Sequence, residues 1–153
     1  MINDLNLIVK DTNFFLKKYL RKQKYSGLVA PIKYGLFSGG KRIRSKILVD
    51  VGKIFSVDYN KLIIIGAAIE CIHAYSLIHD DLPCMDNDLT RRGKPSTHVK
   101  FGEATAILAG NSLLTMAFEI LSEKKLNINE KTKNILIYKL SKCAGHVGIA
   151  GGQ

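Results

Sequence analysis

Residues 1–153 predict an all-α fold, and three observations carry that prediction. Apolar residues recur with helical rather than alternating spacing along nearly the whole chain. Short polar or glycine-bearing turns divide the pattern into pieces of helix length. One piece, Tyr59–Asp81, is apolar on almost every side, as only the central helix of a helical assembly needs to be. With 153 residues and 46% apolar composition the chain can bury one sizeable core, and no linker, repeat or low-complexity tract marks a second domain.

The first predicted helix, Asp4–Lys22, sets Leu5, Ile8, Val9, Phe15, Leu16 and Leu20 among lysines and polar residues, the pattern of an outer amphipathic layer. Leu28–Phe37 and Arg42–Phe55 follow, parted by the Gly39-Gly40 turn signal. In Tyr59–Asp81, Glu70, His73, Ser76 and Asp80 fall within about 120° of one another at about 100° per residue, a single polar stripe on an apolar helix. That stripe is expected to wall an active-site cavity. Pro83 disfavours a helical Leu82, so this helix should end near Asp81. Glu103–Ser122 and Glu130–His146 complete the set.

Chemistry concentrates just past the central helix, where the chain reads DDLPCMDNDLTRRG and places Asp80, Asp81, Asp86 and Asp88 within nine residues. Like charges this close raise one another's pKa unless a cation neutralises them. Mg²⁺ suits such a site, because it uses one or two carboxylates and completes its octahedron with water and substrate phosphates. Carboxylates at a helix C-terminus also oppose the macrodipole, which a bound cation would offset. Arginine use points the same way: of 23 basic residues only Arg21, Arg42, Arg44, Arg91 and Arg92 are arginine, and four of these lie in GGKRIR and RRG. A guanidinium fork is the residue of choice for bidentate phosphate contacts. In GGKRIR the glycines allow close backbone approach and open a helix whose N-terminal amides favour anions. Lys41 and Arg44, three apart, share a face of that helix; Arg42, about 100° round, is the weaker candidate.

A net charge of +10 raises nucleic acid as a partner. Scattered lysines and the absence of a basic stripe interleaved with aromatics argue against it, whereas a diffuse positive field attracts small anions. Met1–Lys10 carries polar and acidic residues where a secretory leader needs an apolar run, and Glu70 and His73 interrupt the longest apolar stretch, so a soluble protein without a membrane span is expected. Cys71, Cys84 and Cys143, odd in number and without CxxC spacing, read as reduced thiols of a cytoplasmic protein, with Cys71 and Cys143 as core fillers.

These residues, from GGKRIR through ECIHAYSLIHDDLPCMDNDLTRRGKPSTHVKFGEATAILAGNSLL to the terminal GGQ, resemble the trans-isoprenyl diphosphate synthases, the farnesyl and geranylgeranyl diphosphate synthase family. The resemblance implies an isoprenoid-synthase helical bundle around an apolar cavity, and a Mg²⁺-dependent prenyltransferase, expected to be a homodimer. Its reaction joins isopentenyl diphosphate to an allylic diphosphate, dimethylallyl or geranyl, giving farnesyl diphosphate. By that resemblance Asp80, Asp81 and Asp86 hold Mg²⁺ on the allylic diphosphate, with Asp88 as an outer contributor. Lys41, Arg44 and His73 bind isopentenyl diphosphate, and Arg91 and Arg92 divide between the two diphosphates, as neighbours in an extended segment pointing opposite ways would. Tyr75 and Ser76, five and four residues before the first aspartate, form the floor that sets product length. An aromatic fifth residue favours C15, with a C20-forming geranylgeranyl diphosphate synthase as the alternative.

The family's second Asp-rich motif follows the GGQ, and the dispersed Glu119, Glu123 and Glu130 offer no substitute. The chain is therefore expected to be the N-terminal part of a single synthase domain, truncated before that motif and inactive alone; an inactive or regulatory relative is the non-enzymatic alternative. Two other metal chemistries fail. An HD-type phosphohydrolase at His79-Asp80 needs a histidine on another helix, and the only earlier one, His73, shares this helix. An EF-hand from Asp86 has Arg91 where glycine and Thr97 where glutamate are required.

Overall fold

The structure, a computed structural model, describes residues 5–23 and 26–153. Helices α1 (Leu5–Lys22), α2 (Val29–Leu36), α3 (Ile43–Ile54) and α4 (Tyr59–Asp80) are followed by a two-residue antiparallel ladder, β1 (Thr90–Arg91) with β2 (Lys94–Pro95). Then come α5 (Thr97–Phe101), α6 (Glu103–Ser122), a 3₁₀ turn at Lys124–Leu126, α7 (Glu130–Ala144) and α8 (Ile149–Gly152). The six long helices match the predicted ones within a residue or two. Asp4, the expected start of the first, lies outside the described residues.

Local chemistry explains several ends. Asp58 caps α4 by accepting from the Lys61 amide at 3.1 Å, and Asn129 caps α7 by accepting from Thr132 at 2.8 Å. The α4 chain leaves helical geometry after Asp81, ahead of Pro83. Arg42 is not the first residue of α3: it stands before it in the left-handed region, φ 47° and ψ 43°. The hairpin and α5 carried no apolar period, being too short to show one, and the hairpin is held to α2 by the Tyr34 hydroxyl, which donates to the Pro95 carbonyl at 2.7 Å.

The expectation of a central α4 holds. It packs on α1, α2, α3 and, most extensively, α6. Small side chains let the α4–α6 pair close up, with Ala67, Ala68, Ala106 and Ala109 fully buried. At Gly110 a Cβ would fall inside the His79 ring, whose Nε2 donates to the Ile107 carbonyl at 3.1 Å. By length and composition Tyr59–Asp80 and Glu103–Ser122 are each apolar enough to cross a membrane, so Glu70 and His73 do not break the apolar run of α4. In the fold these two helices form the core instead. Cys71 is buried as expected, but Cys143 is exposed rather than a core filler, and it lines a cavity beside α4.

Candidate active site

The GGKRIR segment bends sharply between α2 and α3. Gly39 and Gly40 adopt φ 105° and 113°, a region closed to residues with a Cβ, and Arg42 follows in the left-handed region. This path directs Lys41 and Arg44 toward a cavity of about 90 Å³ that His73 and Arg92 also line. Arg42 turns inward instead. Its guanidinium donates to Asn13 Oδ1 at 3.1 and 2.9 Å, to the Leu36 carbonyl at 2.7 Å and to Glu70 Oε2 at 3.3 Å. Glu70, the first member of the predicted polar stripe, edges the same cavity but is buried, its carboxylate turned onto Arg42. Its other oxygen accepts from the Ser45 amide at 3.2 Å and hydroxyl at 3.4 Å. One of the α3 N-terminal amides expected to meet a phosphate is thus satisfied within the protein.

His73, one turn beyond Glu70 on α4, stands among cations. Burial first, then the Arg44 guanidinium, with smaller contributions from Arg92 and Arg42, lowers its pKa to about 4, Glu70 opposing. At neutral pH it offers a neutral hydrogen-bonding ring.

The acidic loop folds back over the end of α4, the Asp86 amide donating to the Asp80 carbonyl and the Asn87 amide to that of Leu82. Asp81 is buried and paired with Arg91, whose Nε donates to both carboxylate oxygens at 2.7 and 2.9 Å; Asp88 lies 3.6 Å from the same guanidinium. Hydrogen bonding to Asp81 is the chief cause of the raised Arg91 pKa. The two arginines do diverge, though through a turn and not through strand alternation: Arg92 has φ 54° and its Nη1 donates to the Gly39 carbonyl, packing over Gly40.

Asp80 has its pKa raised by burial first and by Asp86 second, while Arg91 opposes. Among the described residues no three His, Cys, Asp or Glu side chains converge as a ready-made metal site. Two mutually repelling carboxylates, Asp80 and Asp86, fit Mg²⁺, whose remaining ligands are water and phosphate oxygens. Asp81 stands apart, committed to Arg91.

A larger cavity of about 570 Å³, mostly apolar, opens beside the small one. Arg44, His73 and Leu77 line both, and Ser76 and Asp80 join the wall of the larger. His73, Ser76 and Asp80 thus share one cavity, as the stripe predicted. Tyr75 does not line it: its ring stands edge-on to His79, centroids 4.8 Å apart, toward the α4–α6 seam. Sequence reasoning passed over the inward role of Arg42. The available signal was Glu70, an acid inside an apolar helix, which requires a buried cation.

Comparison with known proteins agrees with this layout. Residues 26–147 match the family model described as Polyprenyl synthetase. The farnesyl diphosphate synthase of Escherichia coli (strain K12) is 44% identical over 97% of this chain and 51% of the relative. That of Buchnera aphidicola subsp. Acyrthosiphon pisum is 48% identical over 92% and 50%. The crystal structure of an FPP/GFPP synthase from Zymomonas mobilis superimposes with a TM-score of 0.92 at 41% identity, covering 97% of this chain and 54% of that one. The chain spans about half the length of the curated relatives it matches.

Proposed function

Because the chain belongs to the polyprenyl synthetase family, we propose that the whole protein is a cytoplasmic prenyltransferase that joins isopentenyl diphosphate to dimethylallyl or geranyl diphosphate, with farnesyl diphosphate as product. The observation that carries this reading is the contiguity of two cavities, one cationic and one apolar, with Arg44 and His73 at their junction and Asp80 on the rim of the larger. An amphiphile with a charged head and a hydrocarbon tail needs both environments at once.

On this reading Lys41, Arg44, His73 and Arg92 hold the diphosphate of isopentenyl diphosphate, with neutral His73 donating a hydrogen bond among three cations. Asp80 and Asp86 hold Mg²⁺, which when bound supplies positive charge to the allylic diphosphate as it leaves. Arg91, oriented by Asp81, faces the same leaving group. The allylic C–O bond breaks with its electron pair departing on diphosphate, the isopentenyl double bond forms the new C–C bond, and one proton is lost. Leu48, Ile65, Ile69 and Ile72 keep water from the cation. Ser76 on the cavity wall, with Tyr75 behind it at the α4–α6 seam, limits the tail, and the expected homodimer, the single synthase domain and the C15 product belong to the same proposal.

Incubating the whole protein with Mg²⁺, geranyl diphosphate and isopentenyl diphosphate should yield farnesyl diphosphate by chromatography. Asp80→Ala should lower kcat by about 10²–10³, as the loss of a group stabilising transition-state charge does. Diphosphate binding without product would favour the regulatory alternative; C20 product would favour the geranylgeranyl one.

A further inference from the structure

Arg42 borders the small cavity, but its guanidinium is turned onto protein acceptors, and it is the most heavily engaged side chain there. Resting on the reading above, we propose that Arg42 is a positioning residue that, through Glu70 and Asn13, sets the isopentenyl diphosphate cradle without touching the substrate.

Four elements meet at this guanidinium: Asn13 of α1, the Leu36 carbonyl at the end of α2, Glu70 of α4, and the start of α3 that Arg42 itself precedes. Glu70 closes the ring by accepting from the amide and hydroxyl of Ser45. Arg42 and Ser45 are thus clamped by one buried carboxylate, with side chains 7% and 3% exposed for the Arg42–Glu70 pair. Lys41 and Arg44 are the residues immediately beside those two anchors, and His73 follows Glu70 by one helical turn. Three of the four cradle groups, all but Arg92, therefore take their place from a single ion pair.

The backbone gives the clamp work to do. A non-glycine residue at φ 47° is disfavoured and relaxes unless its surroundings hold it. Relaxation at Arg42 would swing Lys41 away from Arg44. A planar fork with five donors can satisfy three acceptors lying in different directions; a lysine ammonium at the same place is a point charge on a flexible stem. Phe37 packs against the guanidinium, its centroid 5.9 Å from Cζ, and helps hold the plane.

The test uses Arg42→Met, Arg42→Lys and Asn13→Ala in the whole protein. Arg42→Met should raise the KM for isopentenyl diphosphate about tenfold or more while that for geranyl diphosphate moves less than about twofold, the signature of lost binding confined to one substrate. Arg42→Lys should rescue less than half of that effect on a logarithmic scale. Asn13→Ala keeps the ion pair and removes one partially exposed acceptor, so it should fold and raise the same KM about threefold. A merely structural role would lower thermal stability and active fraction, hence kcat, and leave the ratio of the two KM values unchanged; that result in Asn13→Ala, or in a folded Arg42→Met, overturns the proposal. Calorimetric titration with inorganic diphosphate in the absence of metal separates this from the reaction itself. If the unmodified protein binds diphosphate but does not elongate geranyl diphosphate, the proposed reaction falls, and a tenfold weaker binding by Arg42→Met still upholds the positioning role. Unchanged binding refutes it.

Discussion

Asp81→Asn separates two jobs that adjacent carboxylates can perform. Asp80 and Asp81 are neighbours in sequence, yet Asp80 is coupled to Asp86 and Asp81 is buried against Arg91. The amide keeps the volume and one acceptor, but removes the charge and one arm of the bidentate pair. Breaking a fully buried ion pair costs about 3–5 kcal/mol and an exposed one below about 1 kcal/mol. The side chains here are 3% and 26% exposed, which places the cost between those limits, at about 2–3 kcal/mol. Urea unfolding of the whole protein measures it, and a double-mutant cycle with Arg91→Met should return a coupling of at least about 1 kcal/mol. In parallel, the Mg²⁺ concentration for half-maximal turnover should shift less than about threefold in Asp81→Asn but more than about tenfold in Asp86→Asn, because on the proposed reading only the latter removes a direct oxygen donor. If Asp81→Asn leaves stability within about 0.5 kcal/mol of the parent and shifts the Mg²⁺ requirement as far as Asp86→Asn, the division of labour is refuted.

Three further outcomes test the surrounding geometry. His73 should titrate near pH 4 by NMR, against an ordinary value of 6.5; since the unfolded chain takes up the proton first, stability should fall as pH drops from 6.5 toward 4, and a midpoint at or above 6 contradicts the described environment. Gly40→Ala forces a Cβ into φ 113° and against the Arg92 guanidinium, costing about 1–3 kcal/mol and weakening diphosphate binding, whereas Gly27→Ala, with open space around it, should be silent in both measurements. Tyr75→Ala, by removing the ring at the α4–α6 seam, should extend the product from C15 toward C20 in chromatographic analysis; an unchanged product would assign length control to Ser76 and the cavity wall.

Much of this site was readable from local pattern. The run of apolar residues around Tyr59–Asp80 implies a helix with neighbours on several sides, because exposing that surface to water is unfavourable wherever it lies. The 100° step along a helix put His73, Ser76 and Asp80 on one line, and they do share a cavity wall. Periodicity says nothing of short irregular segments, so the hairpin at Thr90–Pro95 stayed invisible; the separation of Arg91 from Arg92 comes from its positive-φ turn and not from strand alternation.

Tertiary packing decided the partners. Glu70 belongs to the stripe by angle, but Arg42 arrives from the turn before α3 and pairs with it. Asp80 and Asp81 are indistinguishable by composition, and only the return of the loop to place Arg91 beside one of them separates a pair of mutually repelling carboxylates from a buried salt bridge. Residue type and spacing determine which chemistry a segment can offer. Which charge each side chain meets depends on contacts between residues as far apart as Asn13, Arg42 and Glu70, and electrostatic energy falls with distance in space, whatever the separation along the chain.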